Sequence, residues 1–527
     1  MSEVKKQRGQ SFVKATTIMA VLSLVSSFLG IVRNMVMNAI FGLGTDQDCY
    51  QAAFLIPDLI FMMLVGGALS SAFIPIFSVY ISNGEDDKGY RMASTIMNLA
   101  IIFAVGLCLI GEIFTPQLMR IITKLTGDRF WLAVKLTRIM FFQCFFMCLC
   151  GVAQGICQSY RNFTPSSVGG ALYTSCTVGI GYFLWKFFGF GIEGFAIGVV
   201  IGALVNFLVH IRPMKKEGFR YYPTIDLKQE GVRKFFRLFW PMLLGISVTQ
   251  INQVVIKRFG SGLGDSVLSA MGNATTITEL PVTLFGATIS LAVFPAMSQH
   301  YASGQVDEYK KDLSLSMRTM MFITIPASAG LMAIREPLIR ALYRQGMFTE
   351  ENVHAVSVLM IFYIIGIVGY CCRSVFSRGF YAINETKVPV RINITILTLN
   401  IILSMIFVKF WKAKGLALAY SVAGLCSMTL LGFFLKRRIG NMRGREMFVS
   451  FIKSLIGSCV MFIALIPIRN YLMDVMPPDR KLIQIAHVAI LITIGAIIYA
   501  VMALILRMQE VSAVTDFMKK KFKKKKA

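Results

Sequence analysis

Apolar runs long enough to cross a bilayer follow one another along almost the whole chain. They fall at about 14–41, 49–82, 92–122, 131–159, 165–187, 191–211, 232–259, 265–300, 314–334, 352–382, 388–410, 414–435, 447–473 and 482–506. About 20 apolar residues carry a helix across the hydrocarbon core. The pattern therefore predicts an all-α polytopic membrane protein with fourteen transmembrane helices. Segment 265–300 is the least regular, because Asn273, Thr275, Thr276, Thr278 and Glu279 interrupt it. In the first segment Ser23, Ser26, Ser27, Gly30, Arg33, Asn34 and Asn38 recur at spacings of three and four. On a helix they form one polar stripe along an apolar rod. Such a stripe belongs against protein or a water-filled cavity rather than lipid. Snorkelling of Arg33 to the interface is the alternative reading. The next segment carries Asp58 beside Pro57, then Gly66-Gly67 and Pro75, signals of bending or close helix approach.

Composition agrees with the pattern. The chain of 527 residues is 56% hydrophobic and only 15% charged, with a mean hydropathy of +0.66. Its eleven cysteines sit mostly inside apolar segments, without metal-ligand or disulfide spacing, and read as packing residues. Residues 1–10 are polar and basic, and no small-residue cleavage site follows the first apolar run, so no signal peptide is expected. The net charge of +27 is explained by basic cytoplasmic loops, not by nucleic acid. Placing the stretches 1–14, 212–237, 436–445 and the lysine-rich end inside puts both termini in the cytoplasm; the loop 42–48, free of Lys and Arg, is then outside.

The chain also repeats itself at an offset of about 220 residues. AFIPIFSVYISNGEDDKGY at 72–90 resembles AVFPAMSQHYASGQVDEY at 292–309, with Pro75, Ser78 and Gly84 matching Pro295, Ser298 and Gly304. YRNFTP at 160–165 resembles YAINETKVP at 381–389, and GFAIG at 194–198 resembles GLALA at 415–419. Six crossings per unit is an even number, so the units point the same way and predict two parallel six-helix lobes. The expected organisation is an N-terminal lobe at 1–212, a basic cytoplasmic linker at 213–231, a second lobe at 232–438, two extra helices within 446–507, and a basic tail at 508–527. The tail holds seven lysines and suits an anionic inner leaflet.

Chemistry of a catalytic kind is missing from the sequence. There is no GxxxxGK[ST] loop, no paired catalytic carboxylates and no Ser/His or Cys/His constellation, and the four histidines are scattered. No catalytic residue, metal or cofactor is expected. Interior polar candidates are Arg33, Asp58, Arg138, Asn252, Lys257, Glu279, Arg373, Arg378 and Asn400. Lys257 and Arg258 lie near a helix end, where interfacial snorkelling is the simpler reading. Arg373 and Arg378, with Lys387 and Arg391 after them, either line the interior or approach the cytoplasmic interface. Glu279, before Pro281 in a broken, Thr-rich helix, is the better site signal, because an unpaired carboxylate in a membrane is costly.

The residues also carry a resemblance. SSFLGIVRNMVMNAIFGLGTDQDCYQAAFLIPDL, AFIPIFSVY, PMLLGISVTQIN, ELPVTLFGATISLAVFPAMS, LYRQGMFT and GFYAINETKVPVRI resemble the lipid II flippase family, MurJ (MviN), of the MOP exporter superfamily. The resemblance covers nearly the whole chain, including the two extra helices that distinguish this family from twelve-helix, MATE-like relatives. It implies a transporter of the bacterial cytoplasmic membrane that moves undecaprenyl-pyrophosphate disaccharide-pentapeptide by alternating access. It further implies cavity cations for the pyrophosphate and a lipid-tail groove along the last two helices. Arg33 matches a cavity arginine of the family, Asp48 its outer-end aspartate, Glu279 its eighth-helix glutamate, and Asn400 an eleventh-helix asparagine of weak ion-site character. Ser27, Phe61 and Thr276 stand where the family usually has arginines, Gly66 where a glutamate is common, and Asn34 where an aspartate is common. The expected substrate-binding set is Arg33, Ser26, Ser27, Asn34, Asp48, Asp58, Asn252, Glu279, Arg138, Arg373 and Arg378. The expected partners are a lipid-linked glycan, anionic membrane lipid and, as candidates, cell-wall synthesis proteins. The competing readings are a flippase for another polyprenyl-linked oligosaccharide and, from another class, a small-molecule or drug/cation antiporter. The extra helix pair argues against the antiporter, since a small solute needs no groove for a polyprenyl tail.

Overall fold

The computed structural model describes residues 25–64, 70–478 and 480–511, apart from the side chains of 63–64, 70–71, 241, 244–246 and 248–249. Ser23, Gly66-Gly67 and most of the lysine tail lie outside these. Every regular element among the described residues is helical. They are α1 (Val25–Phe41), α2 (Thr45–Ala53), α3 (Leu55–Leu64), α4 (Ser70–Ser82), α5 (Asp86–Ile122), α6 (Gly127–Ser159), α7 (Thr164–Phe188), α8 (Glu193–Lys216), α9 (Glu230–Ser261), α10 (Val267–Pro281), α11 (Thr288–Ala302), α12 (Val306–Tyr343), α13 (Glu350–Ala382), α14 (Lys387–Ile439), α15 (Gly444–Val475) and α16 (Lys481–Ile505). Nine helices among the described residues are long and apolar enough to span a bilayer, one of them the continuous Val267–Ala302. The membrane architecture holds; these nine do not establish a count of fourteen. Helix α14 contains two of the segments read from the sequence, 388–410 and 414–435, joined where Lys412 leaves helical geometry (φ 47°, ψ −128°).

The chain divides into two compact units, Met1–Ser269 and Ala270–Ala527. Helix α9, assigned from the sequence to the second repeat, clusters here with the first unit and packs on α3, α4 and α5. Two apolar cores build that unit. One joins Phe73 and Phe77 of α4, Met92 and Ile96 of α5, Val152 and Ile156 of α6, and Phe235 and Phe239 of α9. The other joins Met119, Leu136, Met140, Phe141, Phe195 and Val199, from α5, α6 and α8. Helices α7 and α8 touch along Gly194, Gly198 and Gly202, four apart on one face. A Cβ on Gly198 would stand 2.7 Å from the Thr177 carbonyl oxygen, and one on Gly202 2.7 Å from that of Tyr173. Small residues at this spacing let membrane helices approach backbone to backbone.

In the second unit the irregularity read at 265–300 is a local π turn within a continuous helical run. Helix α10 ends at Pro281 and passes through a π-helical turn, Val282–Ala287, into α11. Proline removes a donor, and a π turn displaces the carbonyl ladder. Helix α13 answers part of the deficit: Ser374 Oγ donates to the Gly286 carbonyl at 2.9 Å. Helices α15 and α16 pack on α12 through Ala333, Ile334, Met461, Leu465, Leu491 and Tyr499, and Tyr499 Oη donates to the Phe322 carbonyl at 2.9 Å. At the start of the basic tail, Glu510 is buried, accepts from Ser450 Oγ at 3.0 Å and lies 3.8 Å from Arg318.

The repeat is visible in backbone detail. Helices α5 and α12 are 37 and 38 residues long, and α6 and α13 are 33 each. The turns before α5 and α12 close identically: Glu85 N–H donates to the Tyr80 carbonyl and Gln305 N–H to that of His300, both at 2.9 Å. Gly84 and Gly304 both hold φ at +73°, a conformation that side chains with a Cβ resist.

Candidate functional site

Each unit holds a polar cluster within its apolar helices. In the first, the stripe of α1 faces protein: Asn34 and Asn38 are buried, and Gln47 Nε2 donates to Asn38 Oδ1 at 3.0 Å. Arg33 Nε and Nη2 each reach Asn34 Oδ1 at 3.4 Å. Asp58 lies in the first turn of α3, the end of a helix that favours a carboxylate. It is within electrostatic reach of Lys257 on α9, the stronger partner, and of Arg33. Lys257 Nζ also meets the Gln51 carbonyl at 3.5 Å. Tyr173 of α7 joins the same field and accepts from Gln143 Nε2 at 3.2 Å. Tyr50 of α2, beside Arg33 and Asp58, buries a hydroxyl with no hydrogen-bond partner among the described residues. Two cations thus lie within electrostatic reach of one carboxylate, near a hydroxyl that has no partner among the described residues. The arrangement suits an anion, because paired cations and a neutral donor can all turn toward it.

The second unit is built differently. Glu279 is exposed and lies within reach of Tyr363, Tyr370 and Tyr420. Tyr370 and Tyr420 stack at 4.5 Å between centroids, and Tyr363 meets Tyr420 edge-on at 5.5 Å. Arg373 donates to Asn393 Oδ1 at 2.9 Å and lies 5.9 Å from the Tyr370 ring.

The remaining expected residues are dispersed. Asp48, buried at the start of α2, accepts from Ser269 N–H at 2.8 Å and Ser269 Oγ at 2.7 Å. It stands 3.4 Å from Arg129, which also pairs with Asp265. Burial pushes its carboxyl up, against the pull of the Ser269 hydrogen bonds and the Arg129 charge; its contacts clasp helix ends. Arg138 donates to the Glu112 carbonyl at 3.2 Å and pairs with the Glu112 side chain at 3.5 Å, on a half-exposed face. Arg378 packs between the rings of Phe294 and Tyr381 at 5.5 and 5.9 Å. Ser26 lies beside Gly170 of α7, and Ser27 is half-buried next to it. Asn252 is buried on α9, five residues before Lys257. Asn400 is buried and accepts from Ser404 Oγ at 3.4 Å. Sequence reasoning missed Tyr50, Gln143, Tyr173, the three tyrosines of the second unit and Asn393, and it read Lys257 as interfacial. The lysine alone had a signal, since it lies in an apolar segment with a carboxylate, Asp58, in another.

Long apolar helices in two units, each with a polar cluster, define a multi-pass membrane transporter. The family model described as lipid II flippase MurJ matches residues 37–477, and the chain belongs to that family. It is 28% identical over 433 residues to a probable lipid II flippase MurJ of Vibrio cholerae serotype O1, covering 80% of this chain and 82% of the relative. It is 26% identical over 518 residues to the corresponding protein of Bdellovibrio bacteriovorus, covering 97% of each. Among solved structures, lipid II flippase MurJ in an inward closed conformation superposes with a TM-score of 0.78 at 25% identity, covering 93% of this chain and 99% of that one. A multidrug-resistance MATE family transporter of the MOP superfamily, inward-facing, gives 0.68 at 14% identity over 81% of this chain and 99% of its own, a likeness of fold. This is a multi-pass inner-membrane transporter, not an enzyme.

Proposed function

We propose that the protein translocates lipid II, the polyprenyl-pyrophosphate-linked disaccharide-pentapeptide, between leaflets of the inner membrane, and that Arg33 and Lys257 of the first unit contact its pyrophosphate. The observation that carries the reading is Lys257 and Arg33 within electrostatic reach of Asp58 in a chain of the MurJ family. Ser27, Phe61 and Thr276 remove three of the family's usual arginines. Lys257 restores a cation from a different helix. The unpaired Tyr50 hydroxyl supplies a neutral donor to the same anion. In this reading α15 and α16 on α12 carry the polyprenyl tail, and both termini are cytoplasmic. Cell-wall synthesis proteins are the natural suppliers and consumers of such a lipid. Alternating access would expose the clusters to one side at a time.

The test is depletion of the protein in its native bacterium, with lipid II assayed on each face of the membrane. Accumulation on the inner face, relieved by re-expression, is expected. The missing family arginines favour one second reading, a flippase for another polyprenyl diphosphate glycan. Accumulation of that lipid, with lipid II distribution unchanged, would select it.

A further inference from the structure

A second feature of the first unit is separate from the polar cluster. Helices α3, α5, α6 and α9 enclose an apolar cavity of about 510 Å³, lined among others by Ile60, Ala100, Phe103, Phe236, Phe239 and Trp240. Its size falls within the range of ligand pockets, about 300–1,000 Å³. The rim opens on the outside of the helices, where Phe103 is 50% and Trp240 58% exposed. With wholly apolar walls, such an opening offers nothing to a sugar or a peptide and suits a hydrocarbon chain.

The charge at one end specifies the headgroup. Arg233, Arg237 and Trp240 follow at i, i+4 and i+7 on α9, so they share one face. At 1.5 Å rise per residue, Arg237 lies about 5 Å along the helix from Trp240. Arg233, Lys234 and Arg237 are exposed and make no ion pair among the described residues. Glu230 is the one carboxylate of that helical stretch. Tryptophan at a rim with cations one turn beyond is the order expected across a bilayer interface, from acyl chain to headgroup.

We propose that this groove holds an acyl chain of an anionic glycerophospholipid, with its phosphate at Arg233, Lys234 and Arg237. The inference does not depend on the substrate of the transporter. It makes the first unit a lipid-reading element beside the polar cluster, because Ile60 and Asp58 lie on the same short helix, α3.

Trp240 provides the probe. The purified full chain, and its Trp240→Phe variant, would be reconstituted in phosphatidylcholine vesicles with increasing fractions of phosphatidylglycerol or phosphatidylcholine brominated on the acyl chain. The difference between the two proteins isolates Trp240 fluorescence. Half-quenching is expected at a mole fraction of brominated phosphatidylglycerol at least about ten-fold lower than of brominated phosphatidylcholine. One basic residue near anionic lipid corresponds to about five-fold, so Arg237→Gln should narrow the gap about five-fold. The exposed triple substitution Arg233→Gln, Lys234→Gln, Arg237→Gln should close it. Ala100→Leu, which narrows the groove, should weaken quenching by both lipids, with size-exclusion profile and circular dichroism confirming the fold. Equal quenching by the two lipids in the wild type overturns the proposal, as does a gap that survives the triple substitution. Quenching unaffected by Ala100→Leu overturns the placement of the chain in the groove.

Discussion

The first unit holds a carboxylate within electrostatic reach of two cations, while the second holds an exposed carboxylate among three tyrosines and an arginine already occupied by an asparagine. Asp58 is reached by Lys257 and Arg33; Glu279 faces Tyr363, Tyr370 and Tyr420, and Arg373 is bonded to Asn393. Parts of the helical plan match, with α5 and α6 close in length to α12 and α13 and paired turns of equal φ at Gly84 and Gly304. The comparison separates what a repeat preserves from what it frees. Backbone geometry is constrained by helix packing and by donors that need partners in lipid. The polar side chains at the heart of each unit are not so constrained and have diverged into different chemistry. An anion should therefore be recognised mainly by the first unit.

The largest effect should come from that asymmetry. Charge-assisted hydrogen bonds contribute roughly 1.5–3 kcal/mol each. Arg33→Ala is expected to weaken lipid II binding by the purified protein by about one to two powers of ten. Arg33→Lys keeps the charge without the planar fork and should fall between. Arg373→Ala, whose guanidinium is already used within its own unit, should change affinity by less than about three-fold. Equal losses at Arg33 and Arg373 would break the comparison, and no loss at Arg33 would remove it from the site.

A smaller effect tests the pair itself. Asp58 and Lys257 are half-buried and within electrostatic reach of each other, so removing one leaves the other charge less compensated. Lys257→Met and Asp58→Asn should each destabilise the protein, and the double variant should recover part of the loss. The expected coupling in a double-mutant cycle is about 1–3 kcal/mol. In lipid II binding the two should diverge: Lys257→Met weakens it, while Asp58→Asn, which releases both cations from their internal anion, strengthens it. Weaker binding in both variants would make the pair a structural strut.

The helices, the repeat and the α1 stripe were legible because periodicity is a property of neighbouring residues. Arg33 and Asn34 stand on that stripe, and Asp58 was marked by its charge in an apolar run. That Lys257 comes within reach of Asp58 depends on how α9 packs against α3, a contact between residues two hundred positions apart. Tyr50, Tyr173, Tyr363, Tyr370 and Tyr420 gave no signal, since a tyrosine in a membrane protein reads equally as belt, core or site. Arg138 shows the converse: its charge drew attention, and the structure spends it on Glu112. Charge in the wrong medium is visible in sequence; which charges meet is decided by tertiary packing.

The smallest effect sharpens the preserved side of the comparison. At Gly84 and Gly304 an added Cβ would meet nothing within 4 Å, so substitution there costs backbone strain without a clash. Both glycines hold φ at +73°, and a left-handed conformation costs an ordinary L-residue roughly 1–2 kcal/mol. Gly84→Ala and Gly304→Ala should each lower stability to chemical denaturation in detergent by about 1 kcal/mol, and by the same amount within about 0.5 kcal/mol. Asparagine tolerates the left-handed region better than alanine. Gly84→Asn and Gly304→Asn should accordingly recover part of that loss, again in step. The paired result matters more than its size. Matching losses would mean that the two turns do the same work in their units, with the repeat constrained at its bends while its polar clusters drifted. A loss at one glycine without the other would mean that the equal dihedral angles conceal unequal surroundings, and the divergence seen between Asp58 and Glu279 would then extend to the scaffold.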